Sequence, residues 1–60
     1  MIDMTPTKYL VLKIDGDYAI LRRLEDEQAE PISVARALLP EAIREGSRLL
    51  REFLEYTLLD

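Results

Sequence analysis

The side chains that most often do covalent chemistry are nearly absent from this sequence of 60 residues: it has no histidine, no cysteine and only two serines, Ser33 and Ser47. A serine becomes a nucleophile only when a base within hydrogen-bond reach takes its proton. Lys8 and Lys13 are the lysines available, and no motif pairs either with a serine. Ser47, beside Gly46, reads as a turn or capping residue, and Ser33 as a solvent-facing strand position. Carboxylates remain. Glu25, Asp26, Glu27 and Glu30 lie close together, and hard cations such as Ca²⁺ and Mg²⁺ take oxygen ligands. This stretch lacks the alternating Asp/Asn ligands and central glycine of a calcium loop, so a solvated loop is expected. Paired carboxylates acting as acid and base need a cleft, which so short a chain rarely provides. The expectation is a non-enzyme without metal or cofactor.

Arginine is the other residue type that invites a function. Arg22, Arg36, Arg44, Arg48 and Arg51 would form a nucleic-acid-binding surface if a compact barrel gathered them. Base stacking also needs exposed aromatics, for which Tyr9 and Tyr18 are the candidates. Against this stand a net charge of −4 and a pI near 4.7, because an acidic chain is repelled by phosphates and anionic lipids unless its cations cluster. Nucleic acid is therefore the alternative reading, and the twelve carboxylates are the expected partners of the arginines.

The elements that must position these residues begin after a lead-in over 1–7, with one domain over 8–60. Lys8 to Ile14 has the β-branched and aromatic content of a strand. Asp15-Gly16 is a strong hairpin signal, and Tyr18 to Leu24 returns as a second strand. A two-residue turn there puts Leu10, Leu12, Ile14, Ala19 and Leu21 on one face. Tyr9, Val11, Tyr18 and Ile20 fall on the other with Lys13 and Arg22. A slip of one residue in the turn reshuffles the pairs. Pro31 lacks an N–H for a ladder, so Ile32-Ser33-Val34 is expected to start a strand there or to lie on an edge. Pro40-Glu41 suits the first turn of a short helix near 40–45, closed by Gly46.

Beyond Gly46 the pattern is two-sided. Apolar residues at 49, 50, 53, 54, 57 and 58 approach a helical repeat, and periodicity alone predicts an amphipathic helix over 47–59. Two strands would need a turn near Glu52-Phe53-Leu54, where no Gly, Asn or Pro marks one.

Three stretches carry a resemblance: Asp15-Gly16-Asp17-Tyr18-Ala19-Ile20-Leu21, Ile32-Ser33-Val34-Ala35-Arg36-Ala37-Leu38-Leu39-Pro40-Glu41, and Glu45-Gly46-Ser47. In order and spacing they are similar to a bacterial family of very short proteins known only as domain of unknown function number three thousand and six. The resemblance implies a small, strongly bent sheet or barrel in which Arg48–Arg51 and Glu55–Leu58 are the last two strands. It implies no activity. The chain departs from the family at Phe53 and Leu54, where polar and glycine residues are expected, and at Leu12-Lys13, where the family tends to have Asp-Arg. Together these readings give an all-β fold, a small antiparallel five-stranded barrel-like sheet (SH3-like) with one short helical turn near 40–45. The alternative is an α+β fold with a C-terminal helix over 47–59.

Apolar surplus then points to association. About 60% of the unfolded surface is buried at this size, and neither disulfide nor soft-metal clip is available. Tyr9, Val11, Ile20, Phe53 and Leu54 exceed what one small core needs, and an exposed apolar patch marks an interface. The expected function is a non-enzymatic protein-interaction or structural module, self-associating as a homo-oligomer or binding a protein partner. No apolar run approaches the roughly 20 residues of a membrane span, and the first residues do not read as a secretory signal. A cytoplasmic location is expected.

Overall fold

The computed structural model describes residues 6–53 and 55–59, so the 1–5 part of the lead-in and Leu54 lie outside the described residues. Within them the chain is all β. Strands β1 (Thr7–Asp15), β2 (Tyr18–Arg23), β3 (Ile32–Ala35), β4 (Arg48–Glu52) and β5 (Glu55–Leu58) form one antiparallel sheet in the order β3-β2-β1-β4-β5, curled into a half-barrel. A single 3₁₀ turn, Arg36–Leu38, follows β3. The helix over 47–59 is overturned, since that segment is the β4–β5 hairpin. The helical turn also sits earlier than expected. Over 40–47 the chain instead makes two successive turns, closed by Ile43 N–H to Pro40 C=O at 3.4 Å and Ser47 N–H to Arg44 C=O at 2.9 Å.

The first hairpin differs from the sequence reading in one instructive way. Asp15 pairs with Tyr18, so the loop is Gly16-Asp17, with Gly16 at φ 58° and Asp17 not in positive φ. Glycine at the first loop position is the type II′ arrangement. From there Lys13 faces Ile20 and Ile14 faces Ala19, but Val11 faces Leu21. Leu12 is the extra residue of a β-bulge. Because side chains alternate strictly along a strand, one inserted residue reverses the faces of everything before it. Tyr9 and Val11 therefore point inward with Ile14, Ala19 and Leu21, while Leu10 and Leu12 turn outward with Lys13, Tyr18, Ile20 and Arg22.

The core forms on the concave side. Tyr9, Val11, Ala19, Leu21 and Leu49 are buried on the sheet, and Leu39 and Ile43 from the 39–47 connection cover them. Ile14, Val34, Tyr56 and Leu58 pack around this cluster but remain partly in solvent. Pro31 has the edge role that its missing N–H dictates, just ahead of the edge strand β3.

The β4–β5 turn is held without glycine. Glu52 pairs with Glu55, so Phe53 opens a two-residue loop at φ 56°, alone among the described non-glycine residues in positive φ. Its side chain is 67% exposed and gains little packing in return. A left-handed residue with a Cβ costs about 1–2 kcal/mol, partly offset in glycine by chain entropy. Phe53→Gly is expected to stabilise the fold by about 0.5–1 kcal/mol, read as a rise of several degrees in the thermal melt.

Candidate functional site

The arginines separate by strand parity. Arg44, Arg48 and Arg51 would line one stripe of a helix, but on strand β4 positions 48 and 51 project to opposite faces. Arg48 lies on the outer face, where Leu10 pairs with it on one side and with Arg22 on the other. Arg51 lies on the concave side at the rim, opposite Tyr56. Arg36 begins the 3₁₀ turn and Arg44 sits in the 40–47 connection, both exposed. The five arginines thus do not form one surface. Arg22, Arg36, Arg44 and Arg51 make no ion pair among the described residues, and Nε of Arg22 and of Arg51 is buried without a hydrogen-bond partner.

The apolar patch is also redistributed. Tyr9 and Val11 are 8% and 1% exposed, because the bulge at Leu12 turns them into the core, and they cannot carry a contact. Ile20 is half-buried on the outer face, and Phe53 is exposed at the tip of the last hairpin. Leu54 lies outside the described residues.

What the fold does assemble on the outer face is a mixed surface. Leu10, Leu12, Ile20 and Leu50 are half-buried there, with no second layer above them among the described residues, and Lys8, Lys13, Arg22 and Arg48 stand among them. Tyr18, 53% exposed, ends the row. Among the described residues, carboxylates on this face are confined to its ends, Asp15 beside the first turn and Glu52 and Glu55 at the last. The two lysines of this set did not stand out in the sequence, because only the bulge aligns Lys13 with the residues before Leu12.

The two sheet edges differ in chemistry. Arg36 N–H donates to Asp17 C=O at 2.8 Å, which fixes the hydrogen-bonding phase of β3. Residues 32, 34 and 36 turn their backbone groups to β2, and 31, 33 and 35 turn theirs outward. Pro31 falls in the outward set, so it costs the ladder nothing and blunts this edge. At the other side Leu59 N–H donates to Arg48 C=O at 2.9 Å. By the same alternation the backbone N–H and C=O of Tyr56 and Leu58 face away from β4, with no proline nearby. Their side chains are the half-buried ones on the concave rim.

Tyr56 is tied into the end of the core. Its ring lies 6.2 Å from that of Tyr9, tilted by 50°, and the Arg51 guanidinium sits 6.0 Å from the Tyr56 centroid. Aromatic pairs at this spacing and cations over a ring are both attractive. Burial raises the Tyr56 hydroxyl above the ordinary value of 10.0; the Arg51 charge opposes the rise and Tyr9 adds to it. The folded state therefore holds this proton more tightly than the unfolded chain does. The resulting stabilisation is complete below the unfolded value and is lost as pH rises through the folded one. Stability is expected to fall above about pH 10, and Tyr56→Phe should remove that part of the fall in alkaline melts.

Neither serine is set up for catalysis. The Ser47 hydroxyl is buried and accepts the Arg44 N–H at 3.0 Å, which closes its turn. Ser33 is exposed on the outer face of β3. In the acidic loop, an Asp26 carboxylate oxygen accepts the Gln28 N–H at 3.0 Å, the short side-chain turn typical of Asp. Among the described residues no group of three or more acidic side chains is placed to hold a metal ion, and no helix is long and apolar enough to cross a membrane. A shallow open cleft lies beside Gly46 and Ser47, lined by Arg44, Glu45 and Leu58 as well, with no nucleophile free in it. No family model, no curated protein and no solved structure matches the chain.

Proposed function

We propose that the protein is a non-enzymatic protein-interaction module that associates with itself along β5. The observation that carries this reading is the contrast between its edges: β3 is blunted by Pro31, whereas β5 turns the backbone groups of Tyr56 and Leu58 away from β4, with no strand beside them among the described residues. An unblunted edge is a template for another strand. A two-fold axis at Thr57 would set Tyr56 against Leu58 of the second copy and Thr57 against its own equivalent. No like charges then oppose each other, and the partly exposed rim of the core is covered. Association also relieves the small core of so short a chain.

Thr57 is exposed and faces outward, so Thr57→Lys leaves the monomer's core intact while placing two ammonium groups opposite each other at the axis. Light scattering from micromolar to millimolar concentration is expected to show the wild-type chain passing from 7.0 kDa to twice that mass, and Thr57→Lys remaining monomeric. A wild-type monomer throughout that range would overturn the proposal.

A further inference from the structure

The outer face is a second surface, and it stands independently of the β5 edge. We infer that it docks an acidic protein segment with an apolar stripe. Three of its cations, Lys8, Lys13 and Arg22, have no ion pair among the described residues. They stand on β1 and β2 beside Leu10, Leu12 and Ile20, all half-buried on a face that no second layer covers among the described residues. The chain is acidic overall, with a net charge of −4, yet the described carboxylates lie in the turns, in the loops and at the ends of this face rather than across its middle. Among the described residues, Lys8, Lys13 and Arg22 are not used for internal ion pairing.

The chemistry of the surface selects its partner. A second copy laid face to face would set cations on cations, which is costly. A single-stranded nucleic acid would want aromatic platforms among the cations, and Tyr18 at the end of the row is the one exposed aromatic on this face. The spaces between the cations are filled by aliphatic side chains. Those complement leucine or isoleucine, with carboxylates on either flank meeting Lys8 and Lys13 at one side and Arg22 at the other. An amphipathic acidic helix laid along the β1–β2 pair satisfies both terms.

The test uses the wild-type chain at a concentration where light scattering shows the 7.0 kDa monomer, so that self-association does not enter, and a synthetic amphipathic helical peptide of leucine and glutamate. Its twin with lysine replacing glutamate and a single-stranded oligothymidylate are run beside it. Backbone amide shifts are expected to move at Leu10, Lys13, Ile20 and Arg22 with the acidic peptide only. Affinity should fall at least about tenfold in high salt and in Lys8→Glu/Arg22→Glu, whose fold is checked by its own amide spectrum. Lys13→Glu serves as the milder variant if that pair fails to fold. No binding of the acidic peptide overturns the inference. So does equal binding of the lysine twin, binding confined to another surface, or binding of the oligonucleotide in place of the peptide.

Discussion

Leu21→Ala is expected to leave the chain unfolded at room temperature. Leu21 is among the largest fully buried side chains, on β2 between the central strand and the β3 edge. Truncating a buried leucine to alanine removes its transfer energy and leaves a cavity, at a cost of about 2–5 kcal/mol. A core in this size range rarely supplies more than about 3–5 kcal/mol, and a chain without cysteine has no disulfide to supplement it. The loss is therefore comparable with everything holding the fold. Far-UV circular dichroism and a thermal melt check it: wild type should unfold cooperatively, and Leu21→Ala should show no transition. Leu38→Ala is the control, because Leu38 is 68% exposed and surface truncations stay within about 0.5 kcal/mol. A cooperative Leu21→Ala melt within a few degrees of wild type would contradict the assigned core.

Gly46→Ala is expected to cost about 1–3 kcal/mol through the backbone alone. Gly46 sits at φ 91°, and a Cβ built there meets nothing within 4 Å. The penalty is thus conformational and not steric crowding by neighbours. The position cannot relax cheaply, since Gly46 N–H donates to Val11 C=O at 2.8 Å and Val11 N–H donates to Ser47 C=O at 2.8 Å. Those bonds fasten the 40–47 connection to the bulged central strand. Gly16 offers the comparison: at φ 58° it opens the type II′ turn, a position that strongly favours glycine over residues with a Cβ. Gly16→Ala should therefore also melt below wild type. Equal melts for all three chains would show that the turn at Gly46 adapts.

How much of this was legible in the sequence depended on whether a feature carries a residue signature. The strand character of 8–14 and 18–23 was written in β-branched and aromatic residues, and the edge position of β3 in Pro31. The bulge at Leu12 has no such signature. It is set by how β1 spans two partners, β2 from Tyr9 to Asp15 and β4 from Thr7 to Leu10. Missing it exchanged Leu10 and Leu12 for Tyr9 and Val11. The last hairpin was disguised for a related reason. Its apolar pairs at 49–50 and 57–58, separated by a two-residue turn, imitate a helical period, and Phe53 occupies a left-handed position that usually announces itself with glycine. Pro40 was read as opening a helix because proline suits a first helical turn equally well as the turn it makes here.

The candidate surfaces were less legible than the fold, and one cause accounts for most of it. Face assignments in a strand flip with a single residue, so a patch proposed from sequence inherits every error in register. Tyr9 and Val11 moved inside, Arg48 and Arg51 were parted by parity, and Lys8 and Lys13 came together only across the bulge. The contrast between the two edges was half visible, since Pro31 marks the closed one. Nothing in Glu55-Tyr56-Thr57-Leu58 marks the open one except the lack of a blunting residue.

Self-pairing of β5 is tested most directly by amide hydrogen exchange at Tyr56 and Leu58, whose N–H groups have no partner within the described chain. Pairing about Thr57 predicts that these two amides become protected as concentration rises, and that Thr57→Lys abolishes the protection while leaving that of Leu50 and Thr57-position amides in the β4–β5 ladder unchanged. Free exchange at Tyr56 and Leu58 at every concentration would contradict it.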